Sequence, residues 1–422
     1  MSAEIICIGT ELLLGDILNT NCQYLAQELA KLGIPHYYQT VVGDNLSRIH
    51  QVLQTAISRS SILIFTGGLG PTPDDLTTEA IASFFSVSLI EDPAIIEDIS
   101  RKFASVGRKM TPSNRKQALV PQGAITLPNP TGTAPGIIWQ PQDGISIMTF
   151  PGVPSEMHRM WQETAVPFLK QEGWGKNIIY SEMMRFRGIG ESALAEKVAH
   201  LFDSDNPTVA PYAGKGEVRL RVAAKAASKT QAESLIKPVT TEIKNIAGLN
   251  YFGSNDDTLA SVVGKLLQDA QQTLSVAESC TGGGLGAMLT EIPGSSSYFL
   301  GGIIAYANQV KTGQLNVNEP DLMQHGAVSE IIAKQMALGV KRLMQTDWGI
   351  SITGIAGPTG DTENKPVGLV YIGLATPNNQ TIIKEYRFGK GRGRSLIRHL
   401  SSCSALDLLR RSLIKKVEQE YF

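Results

Sequence analysis

Ser279 lies in a stretch, Thr273 to Gly286, whose residue types suit nucleophilic chemistry. An apolar, β-forming run from Leu274 to Ala277 enters Glu278-Ser279-Cys280-Thr281, and Gly282 to Gly284 open a helix expected over Leu285 to Leu289. Strand, hydroxyl-rich corner and helix N-terminus together place a serine beside free backbone N–H groups, which favour an oxyanion or a phosphate. The competing reading is an ordinary Ser/Thr cap on a tight strand–helix turn.

A serine becomes a nucleophile only with a base beside it. Gly301 to Tyr306 reads as an apolar strand, and Lys311 follows one turn into the next helix. If that strand neighbours the one carrying Ser279, then Tyr306 and Lys311 stand at the same sheet end, where a desolvated lysine can act as base. Taken alone, such a lysine reads as a surface charge. Ser-x-x-Lys also occurs at Ser113, Ser234 and Ser412, so bare spacing proves little. A third strand, Ile350 to Thr353, empties into Gly354-Ile355-Ala356-Gly357, and His325-Gly326-Ala327-Val328-Ser329 precedes a helix over Glu330 to Gln345. A histidine closing such a loop reads as structural.

A second set of chemistry-bearing loops lies in the first half. Ile5 to Ile8 is a buried strand followed by Gly9-Thr10-Glu11, a helix is expected over Asn21 to Leu32, and Ile62 to Phe65 empties into Thr66-Gly67-Gly68-Leu69-Gly70-Pro71-Thr72-Pro73-Asp74-Asp75. Ile145 to Phe150 is another strand and ends in Pro151-Gly152. In open parallel sheets ligands bind beyond the C-terminal strand ends, so these loops should line one crevice. Glu11, Asp74 and Asp75 are candidates to hold a divalent cation on a phosphorylated ligand; the bland alternative is that the two aspartates cap a helix.

The elements that position these loops alternate strand and helix, which predicts α/β architecture: two three-layer α/β domains, 1–172 and 254–422, joined by a small α+β unit, 173–253. A chain of 422 residues exceeds one ordinary domain, and 42% hydrophobic content supports a normal core in each part. Net charge is −1, giving no general drive toward nucleic acid or anionic membrane. Arg185, Arg187, Lys215, Arg219, Arg221 and Lys225 make the middle unit locally basic, yet Ala213-Gly214-Lys215-Gly216 lacks the G-x-x-G clamp of nucleic-acid-binding KH modules, so nucleic acid is not the expected partner. The four cysteines, Cys7, Cys22, Cys280 and Cys403, lack C-x-x-C spacing, and no apolar run reaches about 18 residues, so a cytoplasmic protein with no membrane partner is expected.

GTELLLGDILNTN, TGGLGPTPDDLT, NPTGTAPG and PGVPSEM resemble the molybdopterin-binding domain of MoaB, MogA and MoeA proteins, in the form found in the CinA (competence/damage-inducible) family. VAESCTGGGLG, GSSSYFLGGIIAYANQVK, HGAVS and TGIAGPTG resemble the amidase domain that ends CinA proteins, and the middle unit resembles their KH-like domain. The resemblance implies a homodimer that hydrolyses nicotinamide mononucleotide to nicotinic acid mononucleotide and ammonia, and ADP-ribose to AMP and ribose 5-phosphate. It implies a divalent metal (Mg, Mn, Co or Ni) at the N-terminal site and none at the amidase site.

On these grounds Ser279, Lys311, Tyr306 and Thr353 are the expected catalytic residues. Cys280, Thr281, Gly282, Gly283, Gly354, Ala356, Gly357, Arg387 and Arg392 are the expected substrate contacts there, with the Gly282 and Gly283 amides facing the oxyanion. Gly9, Thr10, Thr66, Gly67, Gly68, Gly70, Pro151 and Gly152 are the expected contacts of the first site, with Glu11, Asp74 and Asp75 on the metal. Two other readings stay open at this point: an N-terminal module that binds a pterin or nucleotide without turnover, and a nucleic-acid adaptor.

Overall fold

The computed structural model describes residues 2–214 and 216–420, without the side chains of 213 and 416–420; Lys215 lies outside the described residues. The chain divides into two compact units, 1–180 with 223–235, and 181–222 with 236–422.

In the first unit a six-stranded sheet has the order His36–Val42, Ala3–Ile8, Ile62–Thr66, Ile145–Phe150, Gly136–Gln142, Ile125–Leu127, and its first four strands run parallel. Period-two alternation sends Ile5, Cys7, Ile62 and Ile64 into one core and Ile6, Ile8, Leu63 and Phe65 into the other. Both faces are therefore covered, and the strands read as continuous apolar runs. Helix Thr20–Lys31 packs into the first core and Leu46–Ile57 into the second.

The helical segment Pro154–Gln171 contains a π-helical turn at Trp161–Ala165. The aspartates Asp74 and Asp75 do not cap the next helix, which begins at Thr77 after Leu76. Asp75 closes its own turn instead, accepting from the amide of Thr72 at 2.8 Å and from the Thr72 hydroxyl.

A four-stranded sheet, ordered Thr208–Ala213, Val218–Ala226, Ile178–Phe186, Tyr251–Ser254, forms the α+β segment. Its arginines are largely spoken for. Glu217 takes both Arg185 and Arg219, while Arg187 is 9% exposed and donates to Gly216, Leu400 and Ser404.

The C-terminal sheet has the order Phe299–Ile304, Leu274–Glu278, Trp348–Gly354, Leu369–Ala375, Thr381–Arg387. The first three strands are parallel and the last two antiparallel. Val276 faces a core shared with helices Leu259–Asp269 and Arg394–Glu420, while Ala277 faces one built from Ile332, Met336 and Val340 of the helix Glu330–Met344. This is again three layers.

Candidate active site

Ser279 follows directly on the central strand Leu274–Glu278 and is flanked by both neighbours. Its amide donates to Ile352 at 2.9 Å, and the amide of Ala305 donates to the Glu278 carbonyl at 2.7 Å. Three parallel strand ends thus stand side by side, carrying Ser279, Tyr306 and Thr353. Lys311, in the helix Asn308–Leu315, reaches back beneath them and is only 1% exposed. Its Nζ lies 3.4 Å from the Ser279 hydroxyl, 2.7 Å from the Ala305 carbonyl and 3.2 Å from the Tyr306 carbonyl. None of these three partners is an anion, so burial dominates and pushes the Lys311 ammonium below its ordinary range.

Glu278 organises the corner. Its carboxylate, 1% exposed, accepts from the amides of Gly283 at 3.0 Å, Leu285 at 3.0 Å and Gly286 at 2.8 Å. An internal carboxylate therefore occupies the helix N-terminus of Gly284–Thr290, where an oxyanion was expected. The Gly282 amide is committed as well, donating to the Ser279 carbonyl at 3.1 Å. The assignment of Gly282 and Gly283 as oxyanion donors is thus corrected. Among the described residues, the amides of Cys280 and Thr281 find no acceptor, and the Thr281 hydroxyl is buried without a partner. Cys280 itself is a poor nucleophile, its thiol pushed up to about 12 by burial.

Other expected contacts also change role. The Thr353 hydroxyl donates to the Ala327 carbonyl at 2.7 Å, so Thr353 anchors the His325–Ser329 loop and makes no bond to Ser279 or Lys311. Tyr306 supplies its backbone carbonyl to Lys311, whereas its ring is 61% exposed and its hydroxyl accepts from Arg394 at 3.2 Å. Arg387 turns away to Glu385, and among the described residues Arg392 has no hydrogen bond or ion pair.

Sequence reasoning missed Arg394 and Arg398. Arg394 donates to Gly357 at 2.8 Å, and Arg398 grips the Thr281 carbonyl through Nη2 at 2.6 Å and Nε at 3.2 Å. The available signal was their i, i+4 spacing at the start of the last helix, which puts both on one face. Of the remaining expected contacts, Ala356 is buried in the core, and at Gly354 a Cβ would meet the Leu369 carbonyl at 2.8 Å.

In the first unit, the strand-end loops enclose a crevice of about 480 Å³ lined by Glu11, Thr66, Gly67, Gly68, Gly70, Asp74, Asp75, Pro151 and Gly152. Gly67 has φ +100°, and a Cβ there would lie 2.1 Å from the Ile8 carbonyl, so the loop packs only as glycine. Among the described residues, the amides of Gly68, Leu69 and Gly70 donate to no acceptor. Gly9 and Thr10 are not part of the lining. Thr10 instead holds Asp44, which does line the crevice, through its amide at 2.9 Å and hydroxyl at 2.8 Å. Asp44 and Asn21 are lining residues that the sequence did not single out as ligands, whereas Glu156, in the first turn of the helix Pro154–Met160, was a candidate contact and does line the crevice.

Five carboxylates face this crevice, Glu11, Asp44, Asp74, Asp75 and Glu156, with no lysine or arginine among the described lining residues. The same residues form no preassembled group of three close enough to hold a metal ion. Carboxylate oxygens are the hard donors that a divalent cation takes, so the chemistry of the lining fits one.

Paired strand-end sites on two three-layer α/β domains, linked through a KH-like sheet, define a multidomain α/β protein with a serine–lysine centre in its C-terminal domain. The chain belongs to the CinA family. Its residues 4–171 match the model described as "Probable molybdopterin binding domain", 181–253 the "Damage-inducible protein CinA KH domain" and 256–413 the "CinA C-terminal domain". It is 70% identical to a CinA-like protein of Gloeothece citriformis over 99% of this chain and 100% of that one, and 68% identical to one of Nostoc punctiforme with the same coverage. A crystal structure titled competence/damage inducible protein CihA, from Agrobacterium tumefaciens, is 37% identical over 37% of this chain and 93% of its own, with a TM-score of 0.36. Among the described residues no helix is long and apolar enough to cross a membrane.

Proposed function

We propose that this chain is a hydrolase with two sites, an amidase acting on nicotinamide mononucleotide in segment 254–422 and a pyrophosphatase acting on ADP-ribose in segment 1–172. The observation that carries the amidase is Lys311, a buried amine with no carboxylate partner among the described residues, within hydrogen-bond reach of Ser279. A lysine so placed is driven toward its neutral form and can take the serine proton.

In this mechanism the Ser279 hydroxyl attacks the carboxamide carbon and passes its proton to Lys311. The resulting tetrahedral oxyanion is met by the unpartnered amides of Cys280 and Thr281. Lys311 then gives the proton to the departing amine, ammonia leaves, and an ester of Ser279 remains. Water, deprotonated by Lys311, attacks that ester; Ser279 recovers its proton and the carboxylate product departs. The Ala305 and Tyr306 carbonyls hold the lysine in place throughout. Arg394 and Arg398 supply positive charge at the same loops and suit the 5′-phosphate better than Arg387 or Arg392.

For the first crevice, the acidic lining supports an anionic substrate that arrives with a divalent cation. Glu11 and Asp74 would hold that cation, which would supply positive charge against the phosphates. The unbonded amides of Gly68 to Gly70 suit phosphate oxygens. Asp75, already held by Thr72, favours a second reading, in which this module binds a nucleotide without turnover. The internal pairing of Arg185, Arg187 and Arg219 argues against a nucleic-acid adaptor. A panel of nicotinamide mononucleotide, ADP-ribose and NAD, assayed for ammonia and AMP with and without metal, tests both sites. Ammonia from the first substrate and metal-dependent AMP from the second are expected; neither product would refute the proposal.

A further inference from the structure

Asn21 is the second residue of the helix Thr20–Lys31, is 7% exposed and lines the first crevice. Its Nδ2 donates to the Thr66 hydroxyl at 2.9 Å and to the Gly152 carbonyl at 2.8 Å. These partners fix the orientation of the amide. A backbone carbonyl can only accept, and the Thr66 hydroxyl spends its own proton on the Pro151 carbonyl at 3.2 Å. Oδ1 therefore cannot exchange places with Nδ2. It is buried, and among the described residues nothing donates to it. A buried acceptor left unmade is unfavourable, and a ligand donor would relieve it.

We infer that Asn21 determines ligand choice in this crevice, its side-chain oxygen accepting a hydrogen bond from a hydroxyl or N–H of the sugar or base of a nucleotide. This rests on reading the crevice as a nucleotide site. Phosphate oxygens are themselves acceptors and are repelled by Oδ1, so they fall to the free amides of Gly68, Leu69 and Gly70. The crevice thus offers acceptors to one end of its ligand and donors to the other. Inorganic pyrophosphate satisfies only the second.

Calorimetric titration of the full chain with ADP-ribose, AMP, ribose 5-phosphate and inorganic pyrophosphate, all with Mg²⁺, tests this on wild type and Asn21→Ala. The substitution is expected to weaken ADP-ribose about tenfold, the effect of one lost hydrogen bond, and pyrophosphate less than about twofold. A loss shared by AMP and not by ribose 5-phosphate places the donor on the adenosine half of the ligand, and a loss shared by ribose 5-phosphate places it on a sugar hydroxyl. A disturbed crevice would weaken every ligand together, so equal losses, or none, overturn the inference while leaving nucleotide binding intact. If Asn21→Ala does not fold, Asn21→Ser is compared in the same way. Wild-type protein that binds pyrophosphate but no nucleotide would overturn both the inference and the reading beneath it.

Discussion

The Lys311 ammonium nitrogen lies 3.4 Å from the Ser279 hydroxyl, and its other two partners are the backbone carbonyls of Ala305 and Tyr306. A cation held this way has no charge to balance it, and its deprotonation relieves the cost of burial. Replacing it with methionine should lower kcat for ammonia release by roughly 10²–10⁴, the usual contribution of acid–base catalysis. The same Lys311→Met change should leave the melting temperature equal or higher, because no ion pair is broken. Loss of activity together with unfolding would instead assign Lys311 to structure.

The pH dependence follows in sign from the same burial. Lys311 titrates below the unfolded lysine value, so the folded chain binds fewer protons than the unfolded chain between the two. Its contribution to stability is least favourable at low pH and improves as pH rises from the folded toward the unfolded pKa. The amidase rate should rise over the lower end of that window as Lys311 loses its proton. A pH–rate profile of kcat together with urea melts checks both, and Lys311→Met should remove this component from the stability curve.

Glu278 holds three amides with one buried carboxylate. Glu278→Ala leaves those donors unmet and should destabilise the C-terminal domain by about 2–4 kcal/mol in chemical denaturation. Activity should fall with it, since the corner carrying Ser279 loses its anchor. AMP release at the first crevice should not change.

Gly67→Ala should act in reverse. Its positive φ and the nearby Ile8 carbonyl leave no space for a methyl group. A cost of about 2 kcal/mol or more is expected, with nucleotide binding to the first crevice lost and ammonia release retained. Chelation by EDTA should make the same separation, abolishing AMP release and sparing ammonia release.

The α/β class and the grouping of Ser279 with Lys311 were legible because continuous apolar strands ending in glycine-rich loops leave a period-two signature and a fixed end of the sheet. The destinations of the backbone amides were not. Nothing local says that Glu278 folds back to cap the helix after its own strand, which displaces Gly282 and Gly283 from the oxyanion. Arg394 and Arg398 were missed because they join the corner from a helix far along the chain, Arg398 through the Thr281 carbonyl and Arg394 through the Gly357 carbonyl and the Tyr306 hydroxyl. Thr353 was placed correctly at a strand end, yet its hydroxyl direction depends on the Ala327 loop. Side-chain direction at a crowded strand end is a tertiary property.

Ammonia release from nicotinamide mononucleotide by Ser279→Ala reports on the nucleophile itself. A rate near that of the uncatalysed reaction is expected, in a protein whose melt and ADP-ribose turnover match wild type. Release at close to the wild-type rate would contradict the assignment of that nucleophile.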